Sequence, residues 1–238
     1  MAAPQFFDKA ALALASGNST VTKPIFRNGH QPDLKAGAET TVWNIPNSTY
    51  PWSAWTTAGS LTIPAVSAAD NGKKLTIMGL DTEFNLQIDE VTLSSSADVV
   101  TTTTWARADR FFQSGGSTNE GDITIKKGDV LVGLVGAGQG QNNAAVYTVP
   151  AGHTGYVMWG MASVKSGGAR LTTKVDYGGV GAWRKAGIDY IHAGHNFNTN
   201  YPLPLPVAAK SDIEISLLCD EDTSAAASFQ ILIVKDGS

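Results

Sequence analysis

The sequence predicts an all-β protein: an antiparallel β-sandwich, jelly-roll-like, of about ten strands, with an extended N-terminal arm. Three observations carry the expectation. Short runs rich in Val, Ile, Thr and aromatic residues recur, with turn residues roughly every 8–12 positions. Only 16% of the 238 residues are charged, against about 25% in an ordinary soluble domain, while the 25 glycines exceed the usual ~7%. Helical and strand patterns do not alternate, as a parallel α/β sheet would require. A hydrophobic content of 42% also argues against disorder.

Residues 1–38 show no strand period. A short Ala/Leu stretch leads to a polar run with Pro24, Gly29, Pro32 and Gly37, so the segment reads as an arm lying on the body or on a neighbour. Residues 39–238 read as the sandwich. Glu39–Ile45 is rich in β-branched and aromatic residues and is broken by Pro46-Asn47-Ser48. Leu61–Val66 follows, and Asp70-Asn71-Gly72 supplies turn chemistry before a strand at Lys74–Met78. Phe84–Leu93 alternates, with Phe84, Leu86 and Ile88 on one face of a half-buried strand. In Val99–Phe112 the run Thr101–Thr104 favours strand, although Ala106–Phe112 also fits a helix. Ser114–Ser117 is a loop, Asp122–Lys126 a strand, Lys127-Gly128-Asp129 a turn, and Val130–Val135 a buried strand.

The C-terminal half continues in the same style, with strands at Ala144–Val149, Tyr156–Val164, Ala169–Tyr177 and Ile188–Ala193. The prolines of Tyr201–Pro206 cannot donate to a ladder, which makes that stretch an extended connection or a sheet edge. Asp212–Cys219 alternates, placing Ile213, Ile215, Leu217 and Cys219 on one face, and Phe229–Val234 closes the chain.

Composition narrows the function classes. Seventeen Lys+Arg against 21 Asp+Glu give a net charge of −4, which disfavours a nucleic acid binder working by counterion release. One cysteine allows neither an intrachain disulfide nor a thiolate zinc site. No apolar run reaches the ~18 residues of a membrane-spanning helix. At the start, Asp8 and Lys9 precede the short apolar run Ala10–Ala15, which suits an arm better than a secretory signal.

The chemistry-bearing residues are sparse. The string Gly133-Leu-Val-Gly136-Ala-Gly138-Gln-Gly140 lacks the third glycine, and the Lys-Ser/Thr pair, of phosphate-cradling loops, so it reads as a hairpin loop. His192 and His195 stand three apart near a strand end, His153 lies in a turn and His30 in the arm, none within a metal-site motif. Asp220-Glu221-Asp222 lacks calcium-loop spacing, and Asp81, Glu83, Asp89 and Glu90 become a catalytic pair only if the fold sets the required separation. Cys219 reads as a buried, inert thiol. These readings imply no enzyme, cofactor or metal. A carbohydrate-binding alternative rests on Tyr50, Trp52 and Trp55, which could stack on sugar rings if exposed. Tyr156–Val164 is apolar on both faces, which suggests a homo-oligomer, most simply a trimer, with Tyr156, Met158, Trp159 and Met161 at the subunit interface.

Several segments resemble small β-rich virion structural proteins of tailed bacteriophages. They are Thr41-Val42-Trp43 with Tyr50-Pro51-Trp52, Gly79-Leu80-Asp81 leading to Glu90-Val91-Thr92-Leu93, the Thr-rich Val99–Arg110, the turn Tyr147–Tyr156, and Lys210–Ile215. The likeness covers most of the chain from residue 39 onward. It implies a non-enzymatic part of the virion, assembled in the host cytoplasm. Such a part would be a capsid decoration or cement protein that stabilises the head by binding the major capsid protein across capsomer junctions. A tail or fibre component binding host-surface carbohydrate is the alternative. On this view Phe6, Phe7 and Phe26 of the arm anchor the protein to the capsid, and neither nucleic acid nor membrane is a partner.

Overall fold

A computed structural model describes residues 24–116, 118–195 and 197–236. Among them are sixteen strands. In chain order the first are β1 (Ile25–Leu34) and β2 (Glu39–Thr41). A second group follows: β3 (Thr62–Ile63), β4 (Lys74–Leu80), β5 (Leu86–Thr92), β6 (Val99–Val100), β7 (Arg107–Ser114), β8 (Ile123–Lys127) and β9 (Val130–Val135). The last group is β10 (Val146–Thr148), β11 (His153–Val164), β12 (Gly168–Asp176), β13 (Trp183–His192), β14 (Phe197–Val207), β15 (Asp212–Cys219) and β16 (Thr223–Lys235).

The first and last groups build one sandwich. One sheet runs β1-β16-β11-β14, and the other runs β10-β15-β12-β13 with β2 also on β15. Every pairing is antiparallel. Taking β2 and β10 as halves of one strand, the sheets hold strands one, eight, three, six and two, seven, four, five, which is the jelly-roll order. Its core draws on both sheets: Ile213, Ile215, Leu217 and Cys219 of β15 face Phe229, Ile231 and Ile233 of β16. The alternation of Asp212–Cys219 thus has the consequence it predicts.

Residues 43–144 interrupt that second strand and fold into a sandwich of their own. Its sheets are β6-β3-β8-β9 and β5-β4-β7, closed over Leu61, Ile63, Leu75, Ile77, Trp105, Phe111, Ile123 and Ile125. Each such fully buried side chain contributes about 1.5–3 kcal/mol relative to exposure. Gly133 in β9 leaves room for the Phe111 ring, since a Cβ there would lie 2.6 Å from a ring carbon. The glycine-rich string accordingly serves packing and a turn.

At the seam the jelly roll hardly registers the interruption. Val42 donates to the Ile215 carbonyl at 2.9 Å, Ile215 donates to the Ala145 carbonyl at 3.0 Å, and Ala145 donates to the Val42 carbonyl at 2.9 Å. Trp43 and Ala144 then pair as the two strands leave the sheet. β1 crosses close to this seam, and a Cβ on Gly29 would sit 2.0 Å from the Val42 carbonyl oxygen.

Several expectations need revision. Residues 25–34 of the expected arm are β1, hydrogen-bonded along β16, while residues 1–23 lie outside the described residues. The body holds two cores and more strands than about ten, with β1 added from the arm and the run Val99–Phe112 split between β6 and β7. In β5 the alternation holds but the face is reversed: Leu86 and Ile88 point outward, and Val91 reaches the core. Val130, at the start of β9, is exposed rather than buried. The helical option for Ala106–Phe112 gives way to β7. Tyr201–Pro206, by contrast, falls within β14, a sheet edge as its prolines predict.

The seam makes a direct prediction. Gly29→Ala forces a methyl into two backbone segments and should lower stability by about 1–3 kcal/mol. Urea unfolding would measure it, and a change within about 0.5 kcal/mol would contradict the seam geometry.

Candidate functional site

The insert sits against the jelly roll through buried charge pairs. Arg107 of β7 reaches Asp212 of β15 in a fork, Nε to Oδ1 at 3.0 Å and Nη2 to Oδ2 at 2.8 Å. Its remaining donor serves the Trp55 and Ala106 carbonyls, and Thr148 donates to Asp212 at 2.6 Å. Burial pushes the Asp212 carboxyl up, while Arg107 pulls it back toward the ionised form. Arg27 of β1 makes the second bridge, with Asp109 of β7 at 3.3 Å, and lies 4.8 Å above the Tyr147 ring. Burial likewise raises Asp109 against the opposing charge of Arg27.

Between these bridges lies a cleft of about 420 Å³, formed by β1 and β10 on one side and β4, β5 and β7 on the other. Its lips are Phe26, Leu86 and Ile88, which are 50%, 57% and 65% exposed. Arg110 lines the floor and donates to Gln141 at 3.1 Å. Burial lowers the Arg110 pKa, and the neighbouring Arg27 lowers it further. Both carboxylates here are committed to arginines, so the arrangement suits binding: apolar lips for apolar side chains, and Arg110 for an acceptor.

The sequence-predicted residues distribute unevenly. Phe26 is at this cleft, whereas Phe6 and Phe7 lie outside the described residues. Tyr156, Met158 and Trp159 are half-buried and Met161 is exposed, all on β11 and outside the core cluster. Tyr50 and Trp55 are only 5% and 2% exposed, so neither can stack on a sugar. Their rings fill the insert core, and the Tyr50 hydroxyl donates to the Ala108 carbonyl. Only Trp52 of that trio reaches solvent, with its indole N–H on Glu214 at 2.6 Å.

The other candidates are structural. Asp222 accepts from Lys35 and from the Ala36 amide, and Asp220 from the Gly168 amide. Asp81 closes a turn on the amides of Glu83 and Asn85. Asp89 bonds Thr103, and Glu90 pairs with Lys74 at 2.6 Å. Cys219 is buried, and burial raises its thiol. No cluster of His, Cys, Asp or Glu among the described residues could hold a metal, and no described helix is long and apolar enough to cross a membrane. The sequence reading missed Leu86, Ile88 and Arg110, because nothing local shows that the insert turns this face of β5 toward β1.

Two predictions follow from these ion pairs. Asp212→Ala strands a buried guanidinium and should cost about 3–5 kcal/mol, whereas replacing both partners by apolar residues should recover most of it. Equal losses in the single and double variants, by urea unfolding, would contradict this. The second concerns Glu39, which bridges Lys174 and Arg170 across the other sheet at 2.7 and 2.9 Å. Burial would raise its pKa, but hydrogen bonds from Lys174 and Ser216 and the two cationic charges win and hold it at about 2. A depressed carboxylate stabilises above its unfolded pKa and loses that contribution as pH falls through its folded one. Glu39→Gln should therefore be less stable than wild type at pH 6, with the gap closing from about pH 4.5 down to about pH 2. A gap independent of pH would contradict the assignment.

No protein-family model matches the chain, and no curated protein matches it. Among solved structures it is similar to a mutant VP2 protein of infectious bursal disease virus, from derived T=1 particles. That alignment has 10% identity, covers 92% of this chain and 71% of that one, and has a TM-score of 0.29. An oxalate decarboxylase aligns at 9% identity over 83% of this chain and 66% of that one, with a TM-score of 0.13. A vicilin from Solanum melongena aligns at 10% identity over 89% and 76%, with a TM-score of 0.11. The jelly-roll assignment rests on the strand order itself rather than on these alignments.

Proposed function

We propose that the chain is a non-enzymatic virion structural protein, a capsid decoration or cement protein of a tailed phage that stabilises the head by bridging capsomers. One observation carries the reading. Large apolar side chains stand exposed on edge strands of both sandwiches: Phe26 on β1, Leu86 and Ile88 on β5, Val100 on β6, Val130 on β9, and Ile188 and Tyr190 on β13. Charges and a proline guard the backbone edges of β1, β5 and β13, but exposed apolar side chains that cluster, as Phe26, Leu86 and Ile88 do, mark contact surfaces. Such side chains on several separate elements fit a subunit with several neighbours. A single two-fold contact would cover only one patch. Jelly rolls serve viral capsids, lectins and cupins alike, so the fold by itself does not choose among them. The sequence resemblance to phage virion proteins supplies the choice.

In this reading the cleft lips Phe26, Leu86 and Ile88 receive a neighbour's apolar segment, and the outer face of β11 with Met161 joins copies into a homo-oligomer, most simply a trimer. Binding only the assembled shell shifts the equilibrium toward it, and several modest contacts per junction act together. The protein would reside in the virion after assembly in the host cytoplasm, with the major capsid protein as its partner.

Leu86→Ser combined with Ile88→Ser tests the contact. Both side chains already face solvent, so unfolding stability should change by no more than about 0.5 kcal/mol. Sedimentation should show wild type associating at high concentration, or co-sedimenting with shells, and the variant failing to do so. A wild type that stays monomeric and ignores shells would overturn the proposal.

A further inference from the structure

On the outer side of the five-stranded jelly-roll sheet, a file of aromatic rings ends in an open cleft. Trp43, Tyr50, Trp52 and Trp183 follow one another at centroid separations of 5.1, 4.7 and 5.2 Å. The first two are buried and the last two half-buried. Trp52 comes from a short 3-10 turn of the insert, Trp52–Trp55, and Trp183 opens β13 of the jelly roll. The cleft, about 290 Å³, therefore exists only because the two sandwiches meet there, and such seams favour ligand sites.

Its polar lining is unbalanced. Lys174 and Lys185 face each other directly across β12 and β13, an arrangement in which like charges repel. Glu39 at 2.7 Å and Glu214 at 3.6 Å compensate Lys174. Lys185, exposed and on the same face as Lys174 and Trp183, forms no ion pair among the described residues, while its neighbour Arg184 stands opposite the core-facing Val175 and projects to the other side of the sheet. Glu214 also holds the edge of the Trp52 indole by its N–H, which fixes the ring orientation before any ligand arrives. Two presented indoles beside one uncompensated lysine thus form one site, with an apolar part and an anion-seeking part.

We propose that this cleft binds an anionic saccharide. The CH face of a sugar ring lies on Trp183 and Trp52, and a carboxylate or sulfate on the sugar meets Lys185. A single-stranded nucleic acid also offers flat faces and anions. It is the poorer fit, because the protein carries a net charge of −4 and one lysine here is free to displace counterions. The proposal does not depend on the virion role, and the test below leaves that role unaddressed.

The whole chain would be titrated with tetragalacturonate, a heparin-derived tetrasaccharide, neutral maltotetraose and a short oligothymidylate, following tryptophan fluorescence and calorimetric heat. At least one acidic saccharide should bind and quench fluorescence. Maltotetraose should bind about tenfold more weakly or not at all, because it forfeits a charge-assisted hydrogen bond. Lys185→Glu, at an exposed position, should keep its circular dichroism and lose about tenfold or more in affinity. Trp183→Ala should lose the quenching, and if it fails to fold, Lys185→Glu still decides. Three results would overturn the proposal: no response to either acidic saccharide, unchanged affinity in Lys185→Glu, or tighter binding of oligothymidylate than of both saccharides.

Discussion

Ile215 receives the Val42 amide on its carbonyl and donates its own amide to the Ala145 carbonyl, and everything else in the molecule is arranged around that sharing. A single β-strand position is filled by two residues far apart in sequence. Because the ladder of β15 runs from β2 into β10 without losing its partners, residues 43–144 can leave and return at almost no cost to the jelly roll. The close approach also constrains β1. Backbone meets backbone at Gly29, so the side chain there must be hydrogen.

That arrangement explains why the two sandwiches touch where they do. Both ends of the insert start from one strand, and its β7 is drawn back over β15 and β1, where Arg107 and Arg27 fix it through buried carboxylates. Desolvating such pairs is expensive, so their gain is less in stability than in setting one relative placement of the sandwiches. Fixed placement then produces two clefts at the seam, one with apolar lips and one with paired indoles and an unbalanced lysine. The first supports a role in assembly, and the second supports a ligand.

Legibility in the sequence followed the physics of each strand. β15 was readable because Ile213, Ile215 and Leu217 alternate with Asp212, Glu214 and Ser216, although both faces of the strand are buried. β1 was not, because its inward face is Arg27, Gly29 and Gln31, polar or bare where the seam lies above it. Gln31 looks like a surface residue, yet it is fully buried and donates to the carbonyls of Thr41 and Ile45. In β5 the alternation was real, but periodicity does not reveal which face meets the core, and here Leu86 and Ile88 are the outer one. Trp55 and Tyr50 were candidates for sugar stacking on residue type alone. Burial, a property of non-local packing, removes them and brings forward Trp183, from more than a hundred residues away in the chain.

We propose that this chain is a repeated part of a virion shell. Quantitative mass spectrometry of purified particles, scaled to the major capsid protein, tests it most directly. A copy number comparable with the shell subunit is the predicted result. Absence from the particles, or only a handful of copies, would contradict a decoration role and leave the exposed apolar edges requiring another partner.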